Sequence, residues 1–338
     1  MACKSNLEPS RLLLALSDIK LAHSVFALPF ALLAAFLATP AFLPATDAPG
    51  YPPPEPGSPV APFLLQLLLI LLCMFFARTW AMLVNRLADV RFDAENPRTA
   101  RRVFASGRLD VRSGWMVALA SAGAFQIAAA GFGAFFANWW PAVLAVPVLG
   151  WIALYSYTNR FTALCHLFLG GALAASPVAA VIAIDPSLLH LPDLAGTDFA
   201  SGAPPGLAPP AACTLFLFGF VLFWVAGFDV AYALADIEFD RRTGLRSIPA
   251  RLGARGALWT ARLLHAIAFV LLVLAWRAEP RLGLWTLAAV LLVGGLLVFE
   301  HVVLQRRGVA GLPLAFFTIN GIVSLTLGAA GIADVILG

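Results

Sequence analysis

The chain has 338 residues, of which 61% are apolar and 12% charged, about half the charged share of an ordinary soluble domain. Water does not solvate so much apolar surface, which excludes a soluble enzyme and leaves a polytopic membrane protein. The formal charge of +4 at pH 7 reads as a topology signal and calls for no nucleic-acid partner.

Apolar runs near the ~20 residues a spanning helix needs lie at about 22–43, 62–86, 113–136, 139–157, 163–184, 212–234, 257–276, 282–304 and 312–337. The expectation is therefore an all-α fold of nine transmembrane helices, embedded in the lipid bilayer as a single domain over 1–338. Ahead of the first run, Arg11, Asp18 and Lys20 interrupt the leucines and no small-residue cleavage pattern follows, so this segment is expected to stay and to lie on the membrane surface. Lys20 then stands at the mouth of the first run. Residues 44–61 are proline-rich and are expected to form an extended external connector.

The second run leads into NRLADVRFDAENPRTARR, residues 85–102, where Asn85, Asp89 and Asp93 are spaced four apart and so share one face of a helix. Pro97 is expected to end that helix, because it pushes Asn96 out of the α region. Arg78, seven residues before Asn85, lies on nearly the same face inside the apolar run and points to an inward-facing cavity. The fourth run closes with YSYTNRFT, residues 155–162, and residues 185–211 form a second external connector.

The sixth run leads into DVAYALADIEFDRRTGLR, residues 229–246, where Tyr232, Asp236 and Asp240 repeat the four-residue spacing and Asp229 precedes them by about a turn. Each cluster follows the second helix of a four-helix set. We therefore expect two related halves, about 20–160 and 161–305, with the ninth helix at 312–337. His265 and His301 are read as packing residues, and Cys3, Cys73, Cys165 and Cys213 as free thiols without metal-ligand spacing.

Threaded through nine spans, the arginines of both clusters fall on one side with Lys4, Arg11, Lys20, Arg160, Arg306 and Arg307, while loops 44–61, 137–139 and 185–211 contain no Lys or Arg. Only Arg277 and Arg281 break the pattern. By the positive-inside rule both clusters are expected on the cytoplasmic face.

Two oxygen-rich faces with basic flanks suit one polyanion and the Mg²⁺ ions that bridge it, carboxylates holding metal and arginines holding phosphate. At ~4 Å and an effective dielectric of about 20, each cation–anion contact is worth on the order of 4 kcal/mol, so a departing diphosphate is well stabilised by a few of them. An ion-coupled transporter also places Asp and Arg in membrane helices. Here, however, every clustered carboxylate lies on one side and none at mid-depth.

These two motifs, together with FTALCHLFLG after the fourth run, resemble those of the UbiA superfamily of intramembrane prenyltransferases, NxxxDxxxD and DxxYAxxDxxxD. IKLAHSVFALPFAL and AFFTIN are most similar to the 4-hydroxybenzoate polyprenyltransferases and to the futalosine-route menaquinone enzymes. The resemblance implies Mg²⁺-dependent transfer of a polyprenyl group from a prenyl diphosphate to an aromatic acid, 4-hydroxybenzoate or a dihydroxynaphthoate, in ubiquinone or menaquinone biosynthesis. A haem-prenylating member of the superfamily is the nearer alternative. Carried over by position, Asn85, Asp89, Asp93, Asp236 and Asp240 would form the metal shell, and Lys20, Arg98, Arg102 and Arg246 would surround the diphosphate. Tyr155 would lie beside the allylic carbon, Asp229 would orient the acceptor or take its proton, and Arg160 would hold the acceptor's carboxylate. The chain departs from the family's YxxxK pattern at Asn159, where a lysine is expected.

Overall fold

A computed structural model describes residues 26–42, 60–192, 194 and 207–337. Within them every regular element is helical. The first apolar run appears as α1, Leu28–Ala38, with Pro29 in its first turn. It is followed by α2 (Val60–Ala88), the short α3 (Val90–Glu95), α4 (Val111–Phe136), α5 (Trp140–Thr158) and α6 (Cys165–Ile184). The second half of the chain supplies α7 (Pro209–Tyr232), the short α8 (Ile237–Thr243), α9 (Ile248–Ala278), α10 (Leu284–Arg307) and α11 (Asn320–Leu337).

Eight helices among the described residues are long and apolar enough to cross a membrane; α1, at 11 residues, is the shorter ninth. Large apolar side chains project from their outer faces, among them Ile127, Val146, Leu263 and Leu291. In water such a surface would drive aggregation; in a bilayer it faces lipid. The protein is an integral membrane protein.

The inside is aromatic. Trp224 on α7 is fully buried, stacked on Phe220 and met edge-on by Phe26, Phe30 and Phe228. Its indole N–H donates to Asn320 Oδ1 at 2.8 Å, so the one polar atom of this stack is satisfied at the head of α11. α7 packs against α6 and α9, α1 against α6 and α11, and α2 against α4 and α5. The α6–α7 contact depends on Gly170, since a Cβ there would sit 2.3 Å from the backbone oxygen of Leu222.

Arg281, one of the two arginines outside the topological pattern, is neutralised in place. Its guanidinium pairs with the fully buried Glu279 at 2.9 Å and donates to Leu37 O at 2.7 Å, capping the C-terminal end of α1. A paired arginine with a structural partner carries little weight in orientation.

The two motifs share a backbone feature that strict helical periodicity does not convey. Asp89 (φ −100°, ψ 12°) breaks the chain between α2 and α3, and Asp236 (φ −114°, ψ 8°) breaks it between a 3₁₀ turn at Ala233–Asp236 and α8. Both middle aspartates thus occupy the sparsely populated bridge region, a conformation found at functional sites. The hydrogen bonds Asp89 N–H to Asn85 O and Asp93 N–H to Asp89 O span the first break, which keeps the three side chains roughly on one face. As Pro97 requires, Asn96 is extended at ψ 116° and ends α3. The second motif ends at Gly244, whose φ of 75° closes α8 in the left-handed conformation.

Candidate active site

Asp89, Asp93, Asp236 and Asp240 line one polar cavity of about 140 Å³, with Asn96, Arg98, Arg102 and Asn159 among its walls. The two motifs, far apart in the chain, therefore meet. Arg98 makes the junction: its Nε and Nη2 donate to the Asp236 carboxylate and its Nη1 to the Tyr232 hydroxyl at 2.8 Å, while Asn96 Nδ2 adds a bond to Asp236 at 3.1 Å. Arg102 Nη1 forks onto both oxygens of Asp93 at 2.6 and 2.8 Å. Arg160 reaches Asp89 Oδ1 at 3.2 Å and the carbonyl of Ala88 at 2.6 Å, lying over the rings of Tyr157 and Phe92. Asp240 takes a 2.6 Å bond from Ser247 Oγ, at the N-terminus of α9.

Burial pushes the Asp89 carboxyl up to about 6; the Arg160 bond pulls the other way and the neighbouring Asp93 charge adds to the rise. For Arg98 burial is the largest single influence and works against the charge, but the Asp236 carboxylate and the Tyr232 hydroxyl together outweigh it and the guanidinium is held above its ordinary value.

Carboxylate oxygens are the donors a hard divalent cation takes, and four of them around one cavity fit that demand. No three His, Cys, Asp or Glu side chains among the described residues are gathered closely enough to hold an ion; guanidinium groups meet three of the four cavity carboxylates. Arg98, Arg102 and Arg160 have long side chains that are 26–37% exposed.

A second cavity, about 570 Å³ and almost wholly apolar, is bounded by Phe125, Phe132, Met74 and Phe218; Arg78 is its one charged lining residue among those described, and Tyr155 its one phenol. Arg78 Nε is buried and has no hydrogen-bond partner among the described residues. The cavities adjoin: Tyr155 lines the apolar one and Asn159, one turn further along the same face, the polar one, a separation of about 6 Å along the axis.

The expected residues divide as follows. Asp89, Asp93, Asp236, Asp240, Arg98 and Arg102 converge on the polar cavity, and Tyr155 on the apolar one. Asn85 stands outside the lining, with Oδ1 accepting from Arg86 at 2.9 Å, and Arg246 is tied to the loop before α6 through Phe161 O at 2.8 Å. Arg160 belongs to the carboxylate side, so the cation facing the apolar cavity is Arg78. Lys20 lies outside the described residues. Asp229 lines neither cavity and has a partner that spacing does not reveal: His166 Nδ1, at 2.6 Å. A lone histidine on an apolar helix carries no pattern by itself.

The profile of the UbiA prenyltransferase family matches residues 27–322. The chain belongs to that family. This UbiA prenyltransferase is thus a membrane-embedded transferase and not a carrier. It is 28% identical over 242 residues to the 4-hydroxybenzoate octaprenyltransferase of Nitrosomonas europaea, covering 71% of this chain and 73% of that one. To the 4-hydroxybenzoate octaprenyltransferase of Alcanivorax borkumensis it is 29% identical over 249 residues, with 73% and 75% covered. Among solved structures it is similar to the apo UbiA homologue of Aeropyrum pernix K1, with a TM-score of 0.72, 27% identity, and 94% of this chain and 99% of that one covered. The UbiA homologue of Archaeoglobus fulgidus bound to DMAPP and Mg²⁺ shares the fold at a TM-score of 0.61 and 18% identity, with 96% and 99% covered.

Proposed function

We propose that this prenyltransferase moves a polyprenyl group from its diphosphate to the ring of 4-hydroxybenzoate, with Mg²⁺, as a step of quinone biosynthesis. One observation carries the reading: a polar cavity with four motif carboxylates and their arginines adjoins an apolar cavity whose one charge among the described residues is the Arg78 guanidinium, without an ion pair among them. The relatives that act on 4-hydroxybenzoate favour that acid over a dihydroxynaphthoate, and the apolar cavity supplies a place for prenyl tail and ring together.

In this reading Asp89, Asp93, Asp236 and Asp240, with Asn85 nearby, hold the metal, which when bound neutralises charge building on the departing diphosphate. Arg98 and Arg102 release their carboxylates and take the phosphate oxygens, binding the leaving group more tightly as it departs, with Arg160 beside Asp89. The allylic C–O bond breaks with its electron pair going to diphosphate. The ring carbon beside the phenol forms the new C–C bond, and the proton it gives up passes to Asp229. Tyr155 presents its π face to the allylic cation. Arg78 pairs with the acceptor's carboxylate and keeps it away from the metal carboxylates. By the positive-inside rule the arginine-rich end of the bundle, and the site with it, faces the cytoplasm.

The test is turnover of 4-hydroxybenzoate in membranes containing the protein. Transfer is expected with Mg²⁺ and not in excess EDTA, and Asp236→Asn or Asp89→Asn is expected to remove most of it. Full turnover in excess EDTA would refute the metal reading, and prenylation of haem in place of every aromatic acid would move the protein to another branch of its family.

A further inference from the structure

His166, the second residue of α6, is almost fully buried, with 3% of its side chain exposed against 24% for Asp229. Its two ring nitrogens face two different kinds of group. Nδ1 lies 2.6 Å from Asp229 Oδ2, and Nε2 accepts the backbone N–H of Ile248 at 3.3 Å. A backbone amide only donates, so the nitrogen it faces carries a lone pair. The proton of the neutral ring must therefore be on Nδ1, where it is donated to the carboxylate.

Ile248 is the first residue of α9, whose opening N–H groups have no partner within the helix. His166 satisfies one of them, Ser247 Oγ accepts from Ala250 N–H, and the same Ser247 hydroxyl donates to Asp240. The start of α9 is thus wired to Asp240 of the polar cavity through Ser247, and through His166 to Asp229, which lines neither cavity. α6, α7 and α9 meet at this imidazole.

From this the geometry points to a specific task for His166: it is a positioning residue, a fixed-tautomer bridge that holds Asp229 by Oδ2 and leaves Oδ1 to face the acceptor. The inference rests on the reading of Asp229 as the base. The ring itself passes no proton, since a proton arriving at Nε2 would confront the Ile248 N–H. A carboxylate on a helix end has free rotation about its χ angles; tied at one oxygen to a buried ring, it keeps the orientation the acceptor's proton requires.

A glutamine offers the same two functions in one side chain, an amide N–H for Asp229 and an amide oxygen for Ile248, but does not titrate. The experiment compares His166→Gln, His166→Leu, Asp229→Asn and His166→Leu/Asp229→Asn in membranes, measuring kcat/KM for 4-hydroxybenzoate and KM for the prenyl diphosphate. Loss of a hydrogen bond to a charged group predicts that His166→Leu lowers the acceptor kcat/KM at least about tenfold, with the diphosphate KM held within about twofold. His166→Gln stays within about threefold of wild type, and His166→Leu costs nothing further once Asp229 is Asn, because the two act as one unit. His166→Gln as impaired as His166→Leu, at equal amounts of folded protein, overturns the bridge. So does a His166→Leu defect that persists in the Asp229→Asn background, or wild-type kinetics for His166→Leu. Should His166→Leu fail to accumulate, the glutamine variant decides alone: activity supports the bridge and inactivity overturns it. Wild-type turnover by Asp229→Asn refutes the assignment of the base itself, whereas an inactive Asp229→Asn beside a fully active His166→Leu sinks only the role of His166.

Discussion

Arg78→Met separates a role of this cation in the apolar cavity from any structural one. Arg78 is on α2, lines the 570 Å³ cavity, and has a buried Nε without a partner among the described residues. In the substrate-free protein an unmet buried donor costs about 1–3 kcal/mol, so an unbranched apolar side chain of similar length should leave the unfolding midpoint in detergent unchanged or raise it. With acceptor bound, the same guanidinium meets a carboxylate in a dry cavity, a contact worth about 2–4 kcal/mol. Its loss corresponds to a fall of about 30- to 900-fold in kcat/KM for 4-hydroxybenzoate. The diphosphate KM should hardly move, and the decarboxylated phenol, a poor acceptor for the wild type, should be used equally by both enzymes. The assay is transfer of radiolabelled prenyl diphosphate to each acceptor, read beside thermal unfolding of the same preparations. An acceptor kcat/KM within threefold of wild type would refute the assignment, as would a lowered midpoint with both substrates equally affected.

Three further outcomes follow from the structure. Because burial holds Asp89 up near 6, transfer at limiting Mg²⁺ should decline as pH falls through about 6, and added Mg²⁺ should move that limb to lower pH by competing with the proton; a limb indifferent to Mg²⁺ would place the titrating group elsewhere. The sign for stability of the metal-free protein is opposite: the raised carboxyl contributes stability below its ordinary value near 4 that is lost as pH rises through about 6, which a pH series of unfolding midpoints in EDTA will show. Gly170→Val should push α6 from α7 and lower both yield and unfolding midpoint, while Gly150→Ala, with nothing within 4 Å of the added Cβ, should not; equal behaviour of the two would mean that the α6–α7 contact yields easily. Finally, a cysteine at position 58 or 201 should react with impermeant maleimide in intact cells and one at Ser106 should not, labelling at Ser106 being the outcome that reverses the orientation.

Much of this protein was determined by local sequence. The scarcity of charge dictates a bilayer environment, because no fold of a chain this apolar hides its surface from water. The spacing of Asp89 and Asp93, and of Asp236 and Asp240, dictates which carboxylates share a face, and Pro97 dictates where the first motif's helix stops. These are legible because they depend on a few neighbouring residues and on helix geometry. The pairing of faces is not local. That Arg98 meets Asp236 and Tyr232, that Arg160 turns to Asp89 while Arg78 is left facing the apolar cavity, and that His166 finds Asp229 are all decided by which helices pack together. That packing depends on features such as the bare backbone of Gly170 against Leu222, whose effect appears only once both helices are in place. Arginines are the hardest to assign in advance: each sits on a long flexible stem, and the carboxylate it chooses is set by tertiary distance and not by position in a motif.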